Sequence, residues 1–127
     1  MVGIVVASHS RQLAEGVIEL ARMMAPNVPM AAAGGLDDGA PGTSFRQIIG
    51  AVLQVYSEDG VAVFMDIGSS VMTAEMALEM LSRPKLKLFD CPLVEGAVIA
   101  AVESNMGSSL EEIEQRTVDA RNMRKLH

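Results

Sequence analysis

Four times along this chain a short strand-like run gives way, within a few residues, to apolar residues at helical spacing, and that repetition restricts the fold more than any other feature. Val2–Ala7 leads into Leu13, Val17, Leu20, Ala21 and Met24, stopped by Pro26. Val28–Ala33 leads through a glycine-rich loop, Gly34–Gly42, into Phe45, Ile48, Ile49, Val52 and Tyr56, with Ser44 and Gln47 spaced to cap the helix. Val61–Met65 turns at Asp66, Ile67 and Gly68 into Ala74, Ala77, Leu78 and Leu81, ending before Pro84. Lys85–Phe89 alternates lysine and leucine, as a strand with one wet face does, and Pro92 suits the first turn of the next helix. A last helix follows Ser108 and Ser109, which pair with Glu111 and Glu112 in overlapping capping-box patterns. Strands separated by helices need right-handed crossovers and pair in parallel. The expected fold is therefore α/β, one open and mainly parallel sheet with helices on both faces. Pro29 places the second strand at an edge, where a missing N–H costs least.

The chain has 127 residues, 50% of them hydrophobic, enough for one core, so residues 1–127 are read as a single domain. A net charge of −6 argues against nucleic acid or an anionic membrane as a partner. No apolar run is long enough to span a bilayer and the N-terminus lacks a signal-peptide pattern, so a cytoplasmic location is expected. The one cysteine, Cys91, has no internal disulfide partner and reads as packing.

In an open parallel sheet, ligands bind at the carboxyl ends of the strands. There the sequence places Ser8, His9 and Ser10, then Gly34–Ser44, then Asp66–Ser70, then Asp90. His9 is the only histidine in the body of the chain, and it precedes a helix N-terminus, whose free N–H groups favour an anion such as a phosphoryl group. A second helix start follows Gly68, where Ser69 and Ser70 offer hydroxyls, and Gly35, Thr43 and Ser44 offer donors from the glycine loop. A histidine nucleophile needs its second ring nitrogen protonated and held by an acceptor. Asp66 is the best candidate, because a flavodoxin-like strand order sets the third strand beside the first; Asp37, Asp38 and Asp90 compete on the same edge.

The rival readings are a Mg²⁺ site on these carboxylates, or a regulatory module in which His9 has no covalent role. The acidic residues lack tight ligand spacing, and neither GxxxxGK[ST] nor GxGxxG is present, so neither a metal nor a nucleotide cofactor is expected on this chain. Met72, Met76 and Met80 form a stripe that is expected to pack in the core; exposed, it would suit a dimer surface.

The stretches GIVVASHS, GGLDDGAPGTSF, MDIGSSVMTAEMALEML and CPLVEGAVIAAV closely resemble the phosphotransferase subunits of PTS-dependent dihydroxyacetone kinases, relatives of the mannose-family IIA domains. The resemblance covers nearly the whole chain. It implies that His9, in the SHS motif, is phosphorylated, that Asp66 is the family's aspartate after the third strand, and that the chain is a homodimer. It further implies that phosphate arrives from the carrier HPr and passes to ADP bound on the DhaL subunit, and that the ATP so regenerated phosphorylates dihydroxyacetone on DhaK. A sugar-specific IIA domain that donates to a IIB protein is the nearest alternative.

Overall fold

The computed structural model describes all residues, Met1–His127. Strand β1 (Gly3–Ser8) is followed by helix α1 (Arg11–Met24), β2 (Met30–Gly34) by α2 (Phe45–Val55), β3 (Val61–Met65) by α3 (Ser69–Leu81), and β4 (Leu86–Leu88) by α4 (Leu93–Asn105). Helix α5 (Leu110–Val118) and a short 3₁₀ turn (Asp119–Asn122) complete the chain. All pairings are parallel, in the order β2-β1-β3-β4. The expected α/β fold is thus observed, with β1 central, β3 beside it, and β2 at the edge that Pro29 indicated.

The sheet is buried because its side chains alternate between two apolar layers. On one face Ile4 and Val6 of β1 and Phe64 of β3 meet Ala14, Val17, Ile18 and Ala21 of α1, Ala97, Ala100 and Ala101 of α4, and Leu110 and Ile113 of α5. On the other face Val5, Ala7, Val61 and Val63 meet Ile48, Ala51, Val52 and Val55 of α2 and Ala74 and Ala77 of α3. Phe64 and Phe89 stack edge to face with centroids 5.3 Å apart, in the favoured aromatic geometry.

Helix ends follow the capping residues. Ser10 caps α1 by accepting the Leu13 N–H, and Ser109 with Glu112 forms the full reciprocal box at α5. At α2 only half of the expected box forms: Ser44 accepts the Gln47 N–H, but the Gln47 amide turns to Asp37. Helix α4 starts at Leu93 with Pro92 as its cap residue.

The methionine stripe departs from its expected place in the core. Met72, Met76 and Met80 are 66%, 59% and 70% exposed. The face that α3 buries is instead the small one, Ser70, Ala74 and Ala77, which allows the helix backbone to lie close against the sheet.

Candidate active site

Three strand ends and two helix starts converge around His9. The β1 strand ends at the buried Ser8, so His9 is the first residue to leave the sheet, and β3 brings Asp66 alongside it through the pairing of Ala7 with Met65. Asp66 then receives donors from both strands. Its Oδ2 accepts the Ser8 hydroxyl at 2.9 Å and the His9 backbone N–H at 2.9 Å, and its Oδ1 accepts the Ile67 N–H at 2.7 Å. The His9 ring completes this set, with Nδ1 lying 3.1 Å from Oδ1 and 3.3 Å from Oδ2.

The protonation pattern follows from that geometry. Burial by itself raises the Asp66 pKa, but hydrogen bonds from the Ser70 hydroxyl, the His9 and Ile67 N–H groups and the Ser8 hydroxyl outweigh it. The carboxyl is held well below the usual carboxylate range. An ionised carboxylate accepts only, so Nδ1 carries a ring proton and Nε2 is the nitrogen turned away from Asp66. Ser69 Oγ lies 2.8 Å from Nε2, where its hydroxyl donates. The imidazole is one-third exposed, whereas the Asp66 side chain is 12% exposed, so the ring is anchored on its more buried side by the carboxylate.

The second helix start supplies the remaining hydroxyls. Gly68, at φ 53°, makes the turn from β3 into α3 without a side-chain cap, and so presents Ser69 and Ser70 towards His9. Buried Ser70 lies 3.1 Å from Nδ1 and 3.0 Å from Thr43 Oγ1, which ties the glycine loop to the ring. The loop is also held by its backbone: Gly42 N–H donates to the His9 carbonyl at 2.9 Å, and Gly35 N–H to the Ser8 carbonyl at 3.1 Å.

His9, Asp66, Thr43, Ser69 and Ser70 are therefore brought into one hydrogen-bonded group, and Gly68 shapes its edge. Ser10 borders the same cleft, with its hydroxyl engaged as the α1 cap. Gly35 and Ser44 do not join the group: the Gly35 N–H is taken by Ser8, and the Ser44 hydroxyl by Asp37 and the Gln47 N–H. Asp37 and Asp38 serve the glycine loop, and Asp90 pairs with Arg121. These carboxylates do not converge on a common point, and no group of three or more metal-ligating side chains forms.

The role of Ser8 and the place of Arg11 escape a reading by spacing. Ser8 donates to Asp66 and accepts the Ser10 N–H at 3.0 Å, which locks the turn that carries His9. Arg11 lines an open cleft of about 350 Å³ with His9, Ser10, Gln12, Gly39 and Pro41. The only trace of either in the sequence is a hydroxyl at the end of an apolar run, and a cation two residues after the histidine in an acidic chain.

The β2-β1-β3-β4 parallel sheet that carries this carboxylate-held histidine at its carboxyl edge belongs to a IIA-type phosphotransferase-system domain. The sequence profile of the family described as "PTS system fructose IIA component" matches residues 3–114. The mannose/sorbose-specific IIA subunit from Enterococcus faecalis shares the fold, with a TM-score of 0.58 at 15% identity over 99% of this chain and 94% of its own. The crystal structure of a protein of unknown function superposes more closely, with a TM-score of 0.83 at 27% identity over the whole of both chains.

Within that class the chain belongs to the DhaM family. It is 36% identical to the PTS-dependent dihydroxyacetone kinase phosphotransferase subunit DhaM of Lactococcus lactis, over 90% of this chain and 91% of the relative. It is 38% identical to a PEP-dependent dihydroxyacetone kinase phosphoryl donor subunit of Listeria innocua, over 91% of this chain and 95% of the relative. The corresponding Escherichia coli subunit is 39% identical over 89% of this chain, which spans only 25% of that longer protein. No helix is long and apolar enough to cross a membrane.

Proposed function

We propose that this chain is the phosphoryl donor subunit of a dihydroxyacetone kinase, taking phosphate from HPr onto His9 Nε2 and passing it to ADP bound on DhaL. The observation that carries the reading is the Asp66–Nδ1 hydrogen bond at 3.1 Å, which leaves Nε2 as the nucleophile. Asp66 orients the ring and balances the positive charge that grows on it as the N–P bond forms. The Ser69 hydroxyl, now on Nε2, must swing aside and is then within reach of a phosphoryl oxygen. The Ser70 and Thr43 hydroxyls hold the arrangement together from behind. Little covalent work remains for the protein, because phosphoryl transfer depends mostly on positioning and charge stabilisation.

Intact-protein mass spectrometry at alkaline pH tests this, after incubation with phosphoenolpyruvate, enzyme I and HPr. One phosphoryl group is expected on wild type and none on His9→Ala; an unmodified wild type beside an active donor would sink the proposal. The likeness to a mannose/sorbose IIA fold favours one alternative acceptor, a IIB protein. Offering phosphorylated protein to DhaL·ADP and to IIB separates the two, and preference for IIB would overturn the DhaL assignment. Tight Mg²⁺ or nucleotide binding in calorimetry would instead point to a regulatory module.

The same reading makes the chain a cytoplasmic homodimer. Exposed Met72, Met76 and Met80 support it, since flexible thioethers on one helix face suit a self-complementary contact. A monomeric mass in light scattering at micromolar concentration would remove the dimer.

A further inference from the structure

Arg11 is the only lysine or arginine lining the cleft beside His9. Most other cations of the chain are committed: Arg46 to Asp37, Lys87 to Glu114, Arg116 to Glu103, Arg121 to Asp90 and Lys125 to Glu95. Arg11 forms no ion pair. Its one side-chain hydrogen bond is a long one, 3.5 Å, to the neutral Leu36 carbonyl. The other guanidinium nitrogen lies 3.9 Å from where a Cβ on Gly39 would sit, so it extends over the glycine loop. Asp37 feels the charge, but that carboxylate is already held by Gln47, Ser44 and Arg46. An unneutralised guanidinium therefore faces the cleft in a chain of net charge −6.

We propose that Arg11 is an acceptor-binding residue that contacts the terminal phosphate of the nucleoside diphosphate as it approaches phosphorylated His9. This inference rests on the phosphocarrier reading above. Both half-reactions move the same phosphoryl group through Nε2, but the groups opposite it differ. On the donor side that group is a neutral imidazole nitrogen; on the acceptor side it is a diphosphate oxygen, which brings its own negative charge to an acidic protein. A guanidinium forks onto such oxygens and offsets the repulsion. The cleft offers no large apolar side chain on which a nucleobase could stack, which suits a phosphate whose base and ribose stay on the partner. In the step itself the Nε2–P bond breaks and a P–O bond to the diphosphate forms. The N–P electron pair returns to Nε2, Nδ1 keeps its proton, and no further reactant is needed.

The test follows both half-reactions in wild type, Arg11→Gln and Arg11→Lys: phosphorylation by HPr, then ATP formation on DhaL·ADP across a range of salt. In Arg11→Gln the acceptor step should slow roughly tenfold to hundredfold, the loss of one hydrogen-bonded charge, and fall well below the donor step. The loss should appear as a higher KM for DhaL·ADP and a shallower salt dependence than in wild type, with Arg11→Lys recovering most of the rate. An equal slowing of both steps would mean that Arg11 acts on the transferring group or on folding, and would overturn the proposal. So would an unchanged acceptor step. A wild type that takes phosphate from HPr but gives none to DhaL·ADP would defeat the acceptor reading, and the Arg11 assignment with it.

Discussion

Replacing Asp66 by Asn probes the centre of the site, because it keeps the shape and removes one acceptor and the charge. Oδ1 receives the Ile67 N–H at 2.7 Å and Nδ1 at 3.1 Å, and Oδ2 receives the Ser8 hydroxyl and the His9 N–H, both at 2.9 Å. Whichever way the Asn amide is turned, its NH₂ faces donors. The ring also loses the anion that stabilises it as it becomes cationic. A hydrogen bond to a charged group contributes about 1.5–3 kcal/mol, which corresponds to phosphorylation slower by roughly ten- to a hundredfold. Rapid-quench phosphorylation by HPr reads this directly. Urea unfolding should show a folded variant weakened by about 1–3 kcal/mol, the cost of a mismatched buried donor. A folded Asp66→Asn protein phosphorylated at the wild-type rate would refute the role given to Asp66. The pH dependence has a definite sign. The folded Asp66 pKa lies below its ordinary 3.8, so the stabilisation is complete above that value and is lost as pH falls through the folded pKa. The stability gap between wild type and variant should stay constant above about pH 5 and close only in stronger acid.

Gly34→Ala should disturb the site from a distance. A Cβ there would sit 2.6 Å from the Ser10 carbonyl oxygen and 2.7 Å from Arg11 Cα, both backbone atoms that cannot rotate away. Urea unfolding should show a loss of about 1–3 kcal/mol, the usual cost of overpacking, together with slower phosphorylation, and a neutral effect would contradict the close approach of β2 and α1. Cys91 should be a poor nucleophile in the native protein, since burial first, and then the Asp90 charge, push its thiol up to about 11. Alkylation by iodoacetamide at neutral pH should be slow until urea is added, and rapid labelling of the folded chain would contradict this packing.

The order of the strands and the pairing of His9 with Asp66 were both legible in the sequence, for a common reason. Strand-like runs alternating with helices leave few topologies, and a sheet that sets β3 beside β1 brings only Asp66 next to His9. Asp37 and Asp38 follow an edge strand and turn into their own loop, and Asp90 follows β4, one strand farther out. Arg11 was not legible, because spacing places a residue on a helix without saying where a long exposed side chain lies. Ser8 was legible as an edge residue but not in its role, because a serine ending a buried strand looks the same whether it packs or donates. The outward turn of the α3 methionines has the most instructive cause. A periodicity argument ranks Met above Ala and Ser and so turns Met72, Met76 and Met80 inward, but close approach of the helix to the sheet requires the smallest side chains there. Ser70, Ala74 and Ala77 are fully buried and meet that requirement. Bulky residues on that face would lift α3 away from the sheet and carry Ser69 and Ser70 beyond hydrogen-bonding distance of His9, now 2.8 and 3.1 Å. The small-residue face that keeps the methionines out of the core is therefore the one on which the geometry around the imidazole depends.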